Sequence, residues 1–375
     1  MSQVSDPKPR QPGASSGQVP LKERLAERIR QKGPVTAFTF MEWALYDPAG
    51  GYYMREHDVF GRVGDFYTAP DVHPVYGKTI AAWAAQRARR YGWPDVRIVE
   101  FGAGTGRLAE QIFAAWPEVG VGSLRYSIVE ISPAWREHQA RRLKNCGSAV
   151  DWPEKMPRLD RGIVIAHELL DAMPAHLLRR GPEGLEEAWV DLGPDGRWLR
   201  KYGPASPEGR RAFEEWRPRV APECGFEVAP GATAWIRRVL KQLREGLVLI
   251  VDYGDDEDRL YGPHRPHGTL RAFFQHRCLD RWWEEPGERD ITADVNFTIL
   301  RRVAQAAGGE VVFEGSLGEF LWDAGIAREL SDCPADQPFD PRARRNRAIK
   351  QLLLPGGLGE AFRVLEIRKG VDAEC

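Results

Sequence analysis

The sequence predicts an α/β protein built on a doubly wound, mostly parallel sheet. Three observations carry this expectation. From residue 96 onward, short apolar runs alternate with helix-length amphipathic stretches. The runs are rich in Val and Ile and are bounded by turn residues. The first of them leads straight into a glycine-rich turn that opens a helix. Runs that are apolar throughout suit strands covered on both faces, as parallel sheets are.

Residues 1–20 are rich in Ser, Gln, Gly and Pro and read as a disordered tail. They lack the apolar core of a secretion signal, and with Asp6 they make a poor transit peptide, so a bacterial cytoplasmic location is expected. Leu21, Leu25 and Ile29 recur at helical spacing until Gly33-Pro34 stops the pattern. Residues 40–74 turn aromatic, Gly-rich and irregular, a composition of loops that line sites, so 21–92 is expected to be a helical and loop extension covering the site.

The main domain is expected over residues 93–375. Strands are predicted at 96–101, 126–131, 149–152, 162–166 and 247–252, with helices at 107–116, stopped by Pro117, and at 133–143. Charged, Trp- and Pro-containing text at about 193–230 interrupts the alternation and reads as an insertion packed over the sheet. A helix near 298–307 precedes two strand-like runs, 310–314 and 362–368, which could pair to close the sheet.

The 375 residues are 42% apolar and 29% charged, which fits an ordinary globular chain. Lys plus Arg number 53 and Asp plus Glu 54, leaving a net charge of −1 and no global field to favour nucleic acid. No apolar run approaches the roughly 20 residues that span a bilayer, so no membrane role is expected. Cys146, Cys224, Cys278, Cys333 and Cys375 stand far apart, without zinc-site or disulfide spacing.

The strongest motif is Ile98-Val99-Glu100-Phe101-Gly102-Ala103-Gly104-Thr105-Gly106-Arg107-Leu108, a strand running through glycines into a helix. Glycine permits the unusual dihedrals and the close ligand approach that a cofactor loop needs. Arg107 stands where a dinucleotide fingerprint requires its third glycine, which weighs against a nicotinamide cofactor. At the end of the next strand Val129-Glu130 places a carboxylate where it could accept both hydroxyls of a ribose. Ile131 follows it, and Trp152 at the next strand end could stack on an adenine or be plain core. A ribose without a pyrophosphate points to S-adenosylmethionine. The bland reading of the same residues is a tight strand–helix turn and a solvated acid.

The segment Ile163-Val164-Ile165-Ala166-His167-Glu168-Leu169-Leu170-Asp171-Ala172-Met173-Pro174 brings a buried strand to a polar cluster. If the turn after the strand is helical, Glu168 and Asp171, three apart, share a face and could hold a cationic nucleophile. Methyl transfer is an in-line displacement, so a protein must chiefly align the acceptor and take its proton; Glu168 is the first candidate and Asp171 the second. Acids decorating a helix N-terminus are the alternative. His167 reads as a hydrogen-bonding neighbour. Asp65, Asp294 and His276 are further candidates, equally read as a turn residue, a helix cap and a surface or buried partner. His264 and His267 flank Pro266, which excludes helical ligand spacing, and no metal is expected.

Several further motifs complete the pattern, namely Gly64-Asp65-Phe66-Tyr67-Thr68-Ala69-Pro70, Val251-Asp252-Tyr253-Gly254, Gly268-Thr269-Leu270-Arg271-Ala272-Phe273 and Ile291-Thr292-Ala293-Asp294-Val295-Asn296-Phe297. Together with the glycine loop, Val129–Pro133 and 167–176, they resemble the MidA family, methyltransferases related to mitochondrial complex I assembly factor 7. The resemblance covers roughly residues 20–370. It implies a Rossmann-like class I methyltransferase fold and S-adenosyl-L-methionine held by Gly64, Asp65, Glu100, Gly102, Ala103, Gly104, Thr105, Gly106, Glu130, Ile131 and Trp152. It also implies a protein acceptor, since the mitochondrial member methylates arginine in a core subunit of complex I. Two positions depart from the family pattern: His167, where many bacterial relatives have Asn, and Ala103, where Pro is commoner. Two other functions stay open, an assembly chaperone that uses the cofactor for stability or sensing, and a methyltransferase for small molecules.

Overall fold

The computed structural model describes residues 19–55, 68–333, 337, 339–354 and 356–371. Seven strands form the path of the main sheet: β1 (Val96–Phe101), β2 (Leu124–Val129), β3 (Val150–Asp151), β4 (Leu159–His167), β5 (Leu243–Asp255), β6 (Glu310–Ser316) and β7 (Phe362–Lys369). Their order is β6-β7-β5-β4-β1-β2-β3. Strands β1 to β5 run parallel, while β7 is antiparallel to both β5 and β6. The two-residue strand Val295–Asn296 pairs in parallel with the end of β5, at Gly254 and Asp255. The chain winds outward from β1 to β3 and then restarts at β4 on the other side. A crevice therefore opens at the carboxyl ends of β1 and β4, where open α/β sheets bind ligands.

Alternation along the strands sends successive side chains to opposite layers. Ile98, Ile163, Ile165, Leu247, Leu249 and Val364 pack with helices Val75–Arg90, Arg107–Val119, Leu317–Asp323 and Pro341–Leu353. Val99, Val164, Ala166, Val248, Ile250 and Leu365 pack with helices Pro207–Trp216, Pro230–Gln242 and Phe297–Ala306. Both faces are covered, which is why the strands read as unbroken apolar runs.

A second, antiparallel sheet stands apart from the first. It contains Val35–Thr36, Gly184–Leu192, His176–Gly181 and Gly225–Val228 in that spatial order, with Trp198–Pro204 paired to Gly184–Leu192. Its inner side chains Leu177, Ala188, Val190 and Trp198 share a core with Leu25, Ile29, Phe40 and Met41 of helices Leu21–Lys32 and Ala37–Tyr46. The N-terminal extension and the insertion thus form one layer, stitched by the pairing of Val35 with Val190.

Four local expectations need correction. The insertion leaves the main sheet at His176 rather than near 193, because the hairpin His176–Gly181 and Gly184–Leu192 pairs only within the second sheet. Residues 40–46 are helical, their apolar side chains packed on more than one side, so no amphipathic period marks them. The helix over Pro117 continues to Val119: the proline forfeits the one ladder bond to Phe113, and the Gly120 N–H still closes the last turn on the Trp116 carbonyl at 2.7 Å. The turn after β4 is not helical: Glu168 has φ 52 and the chain reaches His176 without a helix.

Candidate functional site

The glycine loop occupies the predicted place at the carboxyl end of β1. Gly102, Gly104 and Gly106 have φ of 59, 50 and 76, a left-handed run that residues with a Cβ disfavour. The N–H of Gly102 donates to the Val129 carbonyl at 3.0 Å and that of Gly106 to Ala103 at 2.8 Å, fixing the loop between β1, β2 and the helix Arg107–Val119. A Cβ on Gly102 would lie 2.9 Å from Leu169 Cδ1, so the loop also touches the turn after β4. Arg107 is 3.1 Å from Asp71 in an ion pair. Asp71 in turn closes a capping box with Thr68 at the start of the short helix Ala69–Val72.

Glu100, from the glycine-loop motif, and Glu130, predicted from the end of the next strand, are both buried. Glu100 accepts a 2.8 Å hydrogen bond from the Tyr126 hydroxyl, and burial pushes its pKa up to about 7 against that bond and the nearby His167. Glu130 accepts from the Ser132 N–H at 2.9 Å and from Gln139 Nε2 at 3.1 Å; burial raises its pKa as well.

Gln139, which sequence reasoning missed, ties the pieces together. Its Nε2 also donates to the Gly104 carbonyl at 2.9 Å, and its Oε1 accepts the Trp152 indole N–H at 3.0 Å. One fully buried amide joins the glycine loop, the strand-end acid and the candidate stacking residue. Nothing in its helix, Pro133–Arg142, marks it, because that segment is polar around most of its circumference. Ile131 beside Glu130 is 61% exposed, leaving apolar surface next to the acid that could meet the flat face of a base. A left-handed glycine loop, a buried acid one strand over and an apolar ledge beside it fit a ribonucleoside carrying an amino-acid tail. Gly64 and Asp65 lie outside the described residues.

The second centre lies on the turn after β4. The Tyr76 hydroxyl and His167 Nε2 are 2.7 Å apart, and His167 Nδ1 is 3.3 Å from Glu168 Oε1. Apart from that contact, Glu168 Oε1 is buried and makes no hydrogen bond among the described residues. Burial raises the Glu168 pKa, opposed chiefly by His167. The left-handed turn is held from β5: Asp252, fully buried, accepts from the N–H groups of Leu169 and Leu170 at 3.1 and 2.7 Å. The signal that could have found Asp252 is an acid ending an apolar strand, in Val251-Asp252-Tyr253-Gly254.

Asp171 lies on the same turn, buried, its pKa raised first by burial and then by Asp252, Asp290 and Glu168. The N-terminal extension reaches the turn through Tyr46, whose hydroxyl donates to the Ala172 carbonyl at 2.8 Å, while Tyr53 donates to Asp290 at 2.6 Å. Asp294 does not cap the following helix; Asn296 does, and Asp294 instead pairs with Arg265 and Arg271 at 2.5 Å each. His276 is exposed in the tight turn between strands Arg271–Phe274 and Arg277–Leu279. His264 Nε2 and the Arg259 carbonyl are 2.7 Å apart, and no group of metal-binding side chains occurs among the described residues.

Comparison with known proteins decides the class. A family model described as S-adenosyl-L-methionine-dependent methyltransferase matches residues 79–315. The chain belongs to this family. A crystal structure from Burkholderia thailandensis bound to S-adenosyl-homocysteine superposes on the methyltransferase with a TM-score of 0.85, at 29% identity over 94% of this chain and 93% of the other. A native structure of a related protein from the same organism gives 0.82 at 30% identity, over 94% and 92%. Among curated proteins, the mitochondrial protein arginine methyltransferases NDUFAF7 of Rattus norvegicus and Homo sapiens are 28% and 29% identical, over 94% and 92% of the methyltransferase and 85% and 82% of their own length. S-adenosyl-L-methionine is thus the cofactor, and the fold is Rossmann-like, as the sequence predicts. No helix among the described residues is long and apolar enough to cross a membrane.

Proposed function

We propose that the enzyme methylates an arginine side chain of a protein partner. One observation carries this reading: Glu168, Asp171, Asp252 and Asp290 crowd one buried edge, and burial and mutual repulsion hold Asp171 and Asp252 above the ordinary carboxylate range. Such a cluster is matched by a guest cation that restores the charged form. The names of the NDUFAF7 relatives supply the chemical class, a guanidinium.

In this reading the glycine loop with Glu100 receives the amino-acid part of the cofactor, Glu130 the ribose hydroxyls, and Ile131 with Trp152 the base. When bound, S-adenosyl-L-methionine supplies an electrophilic methyl group on a sulfonium. Glu168 Oε1, buried and without a well-aligned hydrogen-bond donor among the described residues, orients a guanidinium nitrogen toward that edge and receives its proton as the nitrogen gains the methyl group. His167 holds the carboxylate from behind, and Asp252 fixes the turn that aims it. Asp171 balances the remaining positive charge.

The test is incubation with methyl-labelled S-adenosyl-L-methionine and a lysate from cells lacking the gene, with the label located by gel and mass spectrometry. Label on arginine of a discrete protein is expected. Glu168→Gln is expected to abolish transfer while retaining S-adenosyl-homocysteine binding. Label on small molecules or on another residue type would overturn the acceptor assignment, and full activity in Glu168→Gln would remove that residue from its role.

A further inference from the structure

Helix Pro341–Leu353 carries Arg342, Arg344, Arg345, Arg347 and Lys350 and no acid, in a chain whose net charge is −1. Arg342 pairs with Asp340 and Arg345 approaches Glu329. Arg344, Arg347 and Lys350, spaced every three residues, are exposed, and their side chains have no ion-pair or hydrogen-bond partner among the described residues. Three like charges on one outer face repel one another and stabilise the isolated protein in no evident way.

The position of this helix links it to the methyl-transfer edge. The first turn of helix Val75–Arg90 holds Tyr76, which meets His167, and Lys78, which pairs with Glu329 at 3.2 Å in the segment that Arg345 also contacts. Immediately before that turn lies His73, whose surroundings include Arg345. The preceding helix Ala69–Val72 supplies the Ala69 backbone group that faces Glu168. One short stretch, 69–78, thus borders both the candidate catalytic carboxylate and the base of the cationic helix.

We propose that the exposed face formed by Arg344, Arg347 and Lys350 is a docking surface for an acidic segment of the acceptor protein, next in sequence to the methylated residue. The proposal rests on the protein-acceptor reading above. A lipid surface is the other partner for a basic helix, but an interfacial helix must leave its apolar side free to enter the acyl boundary. Here Ala343, Ala348, Ile349 and Leu352 are buried in the protein, the last three in one core with Leu317 and Phe320. The exposed apolar residues Phe339 and Leu354 stand at the two ends of the helix, beyond its charged face, and offer a peptide two flanking contacts.

Fluorescence anisotropy with two labelled synthetic peptides tests this, one with a central arginine flanked by a glutamate tract and one of equal length with serine and glycine instead. The full-length protein saturated with S-adenosyl-homocysteine is expected to bind the acidic peptide more tightly by roughly tenfold, with affinity falling as salt rises. The triple variant R344E/R347E/K350E should lose that preference yet keep its affinity for S-adenosyl-homocysteine, which shows that it folds. Equal binding of both peptides, or an unchanged preference in the variant, would overturn the proposal. So would binding of phosphatidylserine vesicles by the protein without binding of the acidic peptide. Because the readout is binding, a docking failure is separable from a wrong acceptor residue, which would appear as binding retained without arginine methylation.

Discussion

The hydroxyl of Tyr76 and Nε2 of His167 are 2.7 Å apart, so the ring whose other nitrogen faces Glu168 is fixed from helix Val75–Arg90. A carboxylate that must both orient a nucleophile and take its proton needs its partner held in one orientation. Tyr76→Phe keeps the buried ring but frees Nε2. Transfer to the endogenous acceptor should slow by roughly tenfold to a hundredfold, with S-adenosyl-homocysteine affinity unchanged. His167→Asn, which retains a hydrogen-bonding group beside Glu168, should be milder. A Tyr76→Phe enzyme with normal kcat would show that the imidazole needs no such support.

Gln139→Ala removes one amide and takes a partner from three groups at once: Glu130 Oε2, the Gly104 carbonyl and the Trp152 indole. Unsatisfied buried groups cost about 1–3 kcal/mol each, partly relieved by water. Calorimetry should find cofactor affinity reduced by roughly tenfold or more. Chemical denaturation should find stability lowered by about 2–4 kcal/mol. Loss of stability with intact affinity would mean that Gln139 serves the core and not the loop.

Gly102→Ala puts a Cβ at φ 59 and 2.9 Å from Leu169 Cδ1. The left-handed conformation alone costs about 1–2 kcal/mol, and the end of the Leu169 side chain must turn aside within the turn that bears Glu168. Cofactor binding is expected to fail. Gly92→Ala, with φ 64 and open space around it, should show a similar stability cost and normal binding. Equivalent binding in both variants would dissociate the loop geometry from the cofactor.

Glu100 has a folded pKa near 7 against an ordinary value of 4.5, raised by burial. The folded state therefore holds a proton that the unfolded chain has already released between those values, and stability should fall as pH rises from about 4.5 to about 7. The other buried carboxyls raised by burial, among them Glu130, Glu168 and Glu227, push the same way. Glu100→Gln should remove part of that loss, up to about 3 kcal/mol at pH 8. Urea titrations of the cofactor-free protein at pH 5.5 and 8 will show it; identical pH slopes for both proteins would place the Glu100 pKa near normal in solution.

The main sheet and the glycine loop were legible because their signals are local: apolar runs, turn residues, and glycines at the end of β1. Strand ends likewise drew attention to Glu130 and Glu168, since an acid at the end of an apolar run is costly to bury unless a partner or a ligand meets it, whereas Asp171 was reached through a helical spacing that the turn does not adopt. The conformation at Glu168 was not legible. Asp252, from a strand far along the chain, takes the N–H groups that a helix would have used, and no window around residue 168 contains that competitor. Gln139 escaped for the opposite reason, since a buried glutamine in a polar helix looks like its exposed neighbours. The insertion was placed too late because hairpin strands in a separate sheet share the grammar of strands in the main one.

The pairing of Val35 with Val190 sets an order of assembly. During synthesis Val35 and Thr36 emerge well before the strand that receives them, and contacts so distant in sequence form slowly. Until Gly184–Leu192 has been made and has folded back, the apolar side of helix Ala37–Tyr46, including Phe40 and Met41, lacks part of its cover and is open to wrong partners. A segment made early is thus among the last to reach its place, and a nascent chain arrested before residue 184 should be the form most dependent on a chaperone.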